Sequence, residues 1–177
     1  MKKLLFLLIV AQVVSGCAST VSTDVERLQP HSGKGALAFV TLFTTLNGSH
    51  TCKSVAIDME NPDLEKPVTL SFVPDEDKKF VLFDGLEPGT YTVNAVRCLP
   101  PSGYVFNGNK NYLEGKVTHD FIVEANTLIL SPYAFYGEQL PYNKFTFNYQ
   151  GSADHIDLLK RLINGDQIYM WRINDYQ

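Results

Sequence analysis

From Gly35 onward the chain is written in short stretches rich in Val, Phe, Tyr, Thr and Ile, each closed by Gly, Pro, Asn or Asp. β-Branched and aromatic side chains suit a pleated, half-buried surface, and the closing residues supply the backbone angles that end it. Strands are therefore expected over Ala36–Leu46, Thr51–Met59, Val68–Val73, Lys79–Phe83, Thr90–Cys98, Lys116–Val123, Thr127–Tyr136 and Lys144–Tyr149. Several of them alternate. Val55, Ile57 and Met59 are interleaved with Ser54, Ala56 and Asp58, and Tyr91, Val93 and Ala95 with Thr92 and Asn94. Such a strand has one face in a core and one in water. The expectation is a mostly β domain over residues 35–177, built as an antiparallel β-sandwich, with no solenoid-type repeat.

One segment follows a helical period instead. Ile156, Leu159 and Ile163 form a stripe widened by Leu158 and Leu162. Asp154 and Asp157 stand at its start, and Lys160 and Arg161 stand near its end, ahead of Asn164-Gly165. These charges suit the helix dipole, Asp154 can cap, and Gly165 can stop the helix. One C-terminal amphipathic helix is expected at about 154–164, wide enough to pack on a sheet. Asp166–Ile173 reads as a last strand.

The first 34 residues differ in kind. Lys2 and Lys3 precede an apolar run from Leu4 to Val14, followed by Ser15, Gly16 and Cys17. Basic head, apolar core and small residues at the cut are the three parts of a secretory signal. The run is shorter than the roughly 20 residues that a membrane-spanning helix needs. Val14-Ser15-Gly16-Cys17 resembles the lipobox of bacterial lipoproteins. That resemblance implies removal of residues 1–16, acylation of Cys17, and, with Ala18 next, an outer-membrane address facing the periplasm. Residues 17–34 then read as a lipidated N-terminus and polar tether.

Loss of residues 1–16 removes two lysines and moves the formal net charge from −4 to −6. A negative chain without a basic stripe is a poor nucleic-acid binder, so the membrane partner is expected through the lipid on Cys17. Cys52 and Cys98 are the other two cysteines, in a compartment that permits disulfides. Pairing is the default and is worth about 3 to 4 kcal/mol for a loop of this length. Two buried thiols or a metal site are the alternatives. Both cysteines fall on the wetter parity of their strands, so a bridge requires strand ends or a bulge that changes the phase.

Phe83-Asp84-Gly85-Leu86-Glu87-Pro88-Gly89-Thr90-Tyr91-Thr92-Val93 carries the sharpest local signal in the domain. Pro88 presets its own φ and Gly89 can take the positive φ of a type II turn, predicting a hairpin. The segment resembles the Phe-x-Gly-Leu-x-Pro-Gly-x-Tyr-x-Val pattern of transthyretin-like (prealbumin-like) sandwiches, which include carboxypeptidase-regulatory-like domains. The resemblance implies that sandwich and no active site. Phe121–Thr127 continues it as strand, turn and strand, with Asn126 where family members often carry Gly.

No nucleophile–base pair, metal spacing or phosphate loop is recognisable, so neither catalytic residues, metal nor cofactor is expected. His31 lies in the tether, and His50, His119 and His155 are dispersed and read as surface or capping residues. Gly33-Lys34-Gly35 lacks the spacing of a P-loop, and Asp75-Glu76-Asp77 lacks that of an EF-hand, leaving a solvated turn. The densest chemistry is aromatic, from Tyr133 to Tyr149. Phe145, Phe147 and Tyr149 share a strand face opposite Lys144, Thr146 and Asn148, as core residues do. Tyr133, Tyr136 and Tyr142 are the candidate binding surface, being apolar in body and polar at the tip. The expected function is a lipid-anchored, non-enzymatic interaction module that holds an envelope protein or glycan. The alternative is a glycan- or small-ligand-binding lipoprotein. An enzyme would need a cleft that sets a histidine beside a carboxylate or hydroxyl.

Overall fold

The computed structural model describes residues 33–115, 117–163, 168 and 170–176. The leader, Cys17, His31 and most of the tether, together with Lys116, Asn164, Gly165 and Asp166, lie outside the described residues. In chain order the elements are β1 (Gly35–Thr44), β2 (Ser54–Glu60), β3 (Val68–Phe72), β4 (Phe80–Leu86), β5 (Gly89–Leu99), β6 (Leu113–Gly115), β7 (His119–Val123), β8 (Thr127–Leu140), β9 (Lys144–Gly151), α1 (Asp154–Leu162) and β10 (Arg172–Asp175). Among the described residues the domain is mostly β, in two five-stranded sheets with one helix.

The first sheet runs β10-β8-β1-β4, with β9 also on β8, and the second runs β3-β2-β5-β6, with β7 also on β5. Their inner faces share one core. Leu37, Phe39 and Phe43 of β1, Phe83 of β4 and Phe135 of β8 meet Ile57 and Met59 of β2, Phe72 of β3 and Phe121 of β7. Edge-to-face ring pairs, such as Phe39 with Phe121 at 5.6 Å, cross between the sheets. The outer face of the first sheet has its own core, where Ala36, Ala38, Val40, Leu128 and Leu130 take Leu159, Ile163 and Trp171.

This second core corrects the wholly antiparallel expectation. β1 pairs β8 in parallel, as β10 does, and only the second sheet is antiparallel throughout. Residues Gly35–Thr41 of β1 are buried without interruption, as parallel strands covered on both faces are. α1 starts at Asp154, with Ala153 at the cap position and no side-chain cap, so Asp154 contributes charge to the first turn rather than capping it.

Pro88-Gly89 does not close a hairpin. β4 lies in the first sheet and β5 in the second, so Glu87-Pro88 carries the chain across the core. Gly89 has φ 150°, not the type II value, and a Cβ there would meet Asn61 Nδ2 at 2.6 Å. Tyr91 locks this arch from inside, its hydroxyl donating to the Glu87 carbonyl at 2.9 Å. β7 and β8 are joined by a similar crossing, in which Asn126 takes φ 57°, a left-handed conformation that Asn tolerates better than most residues.

The registers give the domain two ends. β1 runs from Gly35 to Thr44, and Leu86 of β4, Gly89 of β5, Val123 of β7 and Thr127 of β8 all lie at its start. That proximal end is pinned where Asn126 N donates to the Lys34 carbonyl and the Lys34 ammonium pairs with Glu87. The connections β1–β2, β3–β4, β5–β6 and β8–β9 are all at the distal end.

Gly137 of β8 faces this distal core, and a Cβ there would lie 2.3 Å from Phe43 Cδ1 and 2.8 Å from Phe145 Cζ. Gly137→Ala is expected to lower unfolding stability by about 1–3 kcal/mol through overpacking, read from urea unfolding. Wild-type stability would mean that the Phe43 and Phe145 rings are not packed over this glycine.

Candidate functional site

Cys52 and Cys98 form a disulfide, with Cα atoms 5.7 Å apart. The parity difficulty is resolved by a bulge. Asp58 pairs Ala95 while Met59 pairs Val93, so Asn94 is the extra residue, and beyond it Val96 and Cys98 turn into the core. Cys52 meets Cys98 from the connection just before β2. The bridge thus anchors the base of the distal loops.

Those loops carry most of the exposed large apolar side chains among the described residues: Leu46, Val73, Tyr104, Val105, Tyr112 and Tyr142. Tyr142 is 95% exposed and Tyr104 66% exposed. Residues 100–112 are rich in Pro, Ser, Gly, Asn and Tyr, a composition that paratope loops share because it combines rigid aromatic area with adaptable hydrogen bonding. The segment is nevertheless fixed. Phe106 is fully buried and packs on Phe145 at 5.7 Å. Next to it, the Asn107 amide donates to the Phe145 carbonyl at 3.2 Å and accepts from its N–H at 3.1 Å, as a neighbouring strand would.

The three tyrosines singled out from sequence do not converge. Tyr142 stands at the β8–β9 turn with φ 62°, Tyr133 packs against the inter-sheet core, and Tyr136 packs under α1 on the opposite face of β8. A single platform made of these three is therefore ruled out by the alternation of side chains along β8. Phe145, Phe147 and Tyr149 do face the core. Tyr104 and Tyr112 fall in a stretch with no strand period, so periodicity does not single them out. The signal available was the same Tyr, Gly and Asn composition, with two prolines ahead of it.

Two histidines pack inward rather than standing as surface or capping groups, His155 buried and His119 half-buried. His155, in the first turn of α1, is buried against the sheet, with Nδ1 2.6 Å from the Pro132 carbonyl and Nε2 2.7 Å from the Tyr136 hydroxyl. Since a carbonyl only accepts, Nδ1 carries a proton. His119 stacks on Tyr133 at 3.8 Å and lies 3.2 Å from the Tyr149 hydroxyl, while its Nδ1 is buried without a hydrogen-bond partner among the described residues. Burial lowers its pKa to about 4, although Asp120 opposes this, and burial also raises that of Tyr149. The two shifts hold the proton on the phenol and leave the pair poorly matched for acid–base work near neutrality. His50 is half-buried between Phe43 and Phe145.

The described residues hold no cluster of three or more His, Cys, Asp or Glu able to bind a metal. Asp75 accepts from the Asp77 N–H at 2.9 Å, and Glu76 accepts from Thr45, so the acidic run is used in shaping the β3–β4 turn.

Comparison with known protein families and with curated proteins finds no match. Among solved structures the chain is similar to a leucine-rich repeat protein from Bacteroides thetaiotaomicron, at 19% identity and a TM-score of 0.31. The likeness covers 55% of this chain and 13% of that one.

His119 makes stability depend on pH in a definite direction. Its folded pKa of about 4 lies below the 6.5 of the unfolded chain. Its contribution is therefore complete above pH 6.5 and is lost as pH falls toward 4, at a limiting slope of about 1.4 kcal/mol per pH unit. Chemical unfolding at a series of pH values should show this loss, and His119→Phe should flatten it. An equal slope in the variant would assign the loss to other groups.

Proposed function

We propose that this chain is a bacterial envelope lipoprotein, anchored through acylated Cys17, whose β domain is a non-enzymatic interaction module. In this reading the leader ends at Gly16, and the lipid sits in the outer membrane facing the periplasm. The two sheets, joined by arches at Glu87-Pro88 and Glu124–Asn126, then form a transthyretin-like sandwich.

One observation carries the reading. The domain has its N-terminus and its exposed aromatic loops at opposite ends. An anchor upstream of Gly35 would hold the proximal end toward the bilayer and present Tyr104, Val105, Tyr112 and Tyr142 outward. The disulfide and the buried Phe106 hold these loops in place before any partner arrives, which reduces the ordering cost of binding.

Cys17→Ser is expected to move the protein from the salt-washed membrane pellet to the soluble fraction without changing its thermal unfolding. Retention in the washed membrane would refute lipid anchoring. A photo-crosslinking residue at Tyr104 should capture an envelope component in intact cells, whereas one at Glu124 on the proximal end should not. Equal capture at both positions would remove the distal end as the binding surface.

A further inference from the structure

The distal end also holds an open groove, lined by Lys110, Asn111, Tyr112 and Glu114 from the β6 side and by Thr146 and Phe147 from the β9 side. We infer that this groove binds a neutral, hydroxyl-rich glycan chain. The inference rests on the interaction-module reading and names the class of partner.

Three features select that ligand. The wall is preformed, since Phe106 N donates to the Lys110 carbonyl at 2.6 Å and Lys110 N returns the bond at 2.9 Å, closing the loop that carries Asn111 and Tyr112. Its chemistry is mixed and balanced. Tyr112 is half exposed beneath the Arg97 guanidinium, 5.9 Å from the ring centroid, and supplies an aromatic surface for the C–H face of a sugar. Lys110, Asn111, Glu114 and Thr146 provide donors and acceptors for hydroxyls, and the Lys110 and Glu114 charges cancel. An apolar ligand would cover those polar groups without pairing them, while a polyanion would find the attraction of Lys110 offset by Glu114.

The backbone argues against an extended peptide in the same place. Phe145 presents its N–H and C=O away from β8, toward Asn107, which occupies both. Two pleats further on, β6 closes on β9, because a Cβ at Gly115 would lie 2.8 Å from Tyr149 Cβ. Only Phe147 remains between them, and strand addition needs consecutive backbone pairs. Recognition in the groove must therefore come from side chains, and an open trough with aromatic and hydroxyl-matching groups suits a sugar chain.

The test is affinity electrophoresis of the full-length protein in detergent, through gels cast with soluble starch, xylan or galactomannan, and with anionic polygalacturonate for comparison. Retardation by at least one neutral polysaccharide and not by polygalacturonate is expected. Tyr112→Ala should weaken it about tenfold, the equivalent of one lost aromatic contact, and Thr146→Arg should block the groove from an exposed position. Ile122→Ser, exposed on β7 at the proximal end, should bind as wild type. If Tyr112→Ala fails to fold, Thr146→Arg alone decides. Retardation by none of the neutral polysaccharides, by polygalacturonate alone, or unchanged in Thr146→Arg overturns the inference. A photo-crosslinker at Thr146 separates the two readings: a captured protein overturns the glycan and leaves the module standing, whereas no adduct at either Thr146 or Tyr104 removes both.

Discussion

Every layer of this domain is referred to β1. A strand buried on one face tolerates alternation, but β1 has the inter-sheet phenylalanines on one side and α1 on the other, so neither parity faces water, and its one buried hydroxyl, that of Thr41, donates to the Lys78 carbonyl at 2.6 Å. Its seven consecutive buried residues, from Gly35 to Thr41, follow from that position. Size is partitioned between the faces. Leu37, Phe39 and Phe43 fill the wide gap between the sheets, while Ala36, Ala38 and Val40 let the helix approach closely. Exchanging the two sets would both leave voids inside and drive α1 off the sheet.

The position of β1 also explains the irregularity of β8. Parallel to β1 along its length, β8 exchanges its other partner midway, from β10 up to Leu130 to β9 from Tyr133. The exchange takes place at Ser131-Pro132, where the register with β1 slips between Ala38 and Val40. Pro132 has no N–H to leave unpaired there, and its free carbonyl is taken by Ser152 N and by His155 Nδ1. His155 thus secures the helix at the one point where the sheet beneath it is interrupted.

The strands were legible because their apolar patterns are local. Val68 and Thr127 begin strands where the alternation begins, and the helical stripe of Leu159 and Ile163 is buried. The three-residue β6 was illegible, since Leu113–Gly115 offers too few positions to show a period. Pairing partners were hidden for a different reason. Pro88-Gly89 encodes a sharp change of direction, yet the strand that follows crosses to the other sheet against Asn61, which meets Gly89 from a distant part of the chain, and Tyr91 then ties the crossing to Glu87. Parity at Cys98 was misleading because one bulge residue, Asn94, reverses it, and bulges leave little trace in a single sequence. For the candidate site, residue type was readable and convergence was not. Tyr133 and Tyr136 lie three apart on a strand, which sends them to opposite faces, and the exposed aromatic residues come from connections that periodicity does not describe.

Ten residues of strand separate the point where the chain joins the domain from the distal connections, a rise of about 30 Å, comparable to the thickness of a bilayer's hydrocarbon core. Under the lipid-anchored reading, and with β1 upright on the bilayer, Tyr104 and the groove beside Tyr112 would stand about that far from the headgroups, beyond the range over which surface charge is felt at physiological salt. The balance of charge in the groove then has to match the ligand itself and not the membrane behind it. In that arrangement a neutral lining set far from an anionic surface would discriminate by hydroxyl geometry and aromatic contact, which a loop end held by the Cys52–Cys98 disulfide could supply while the anchor supplied location.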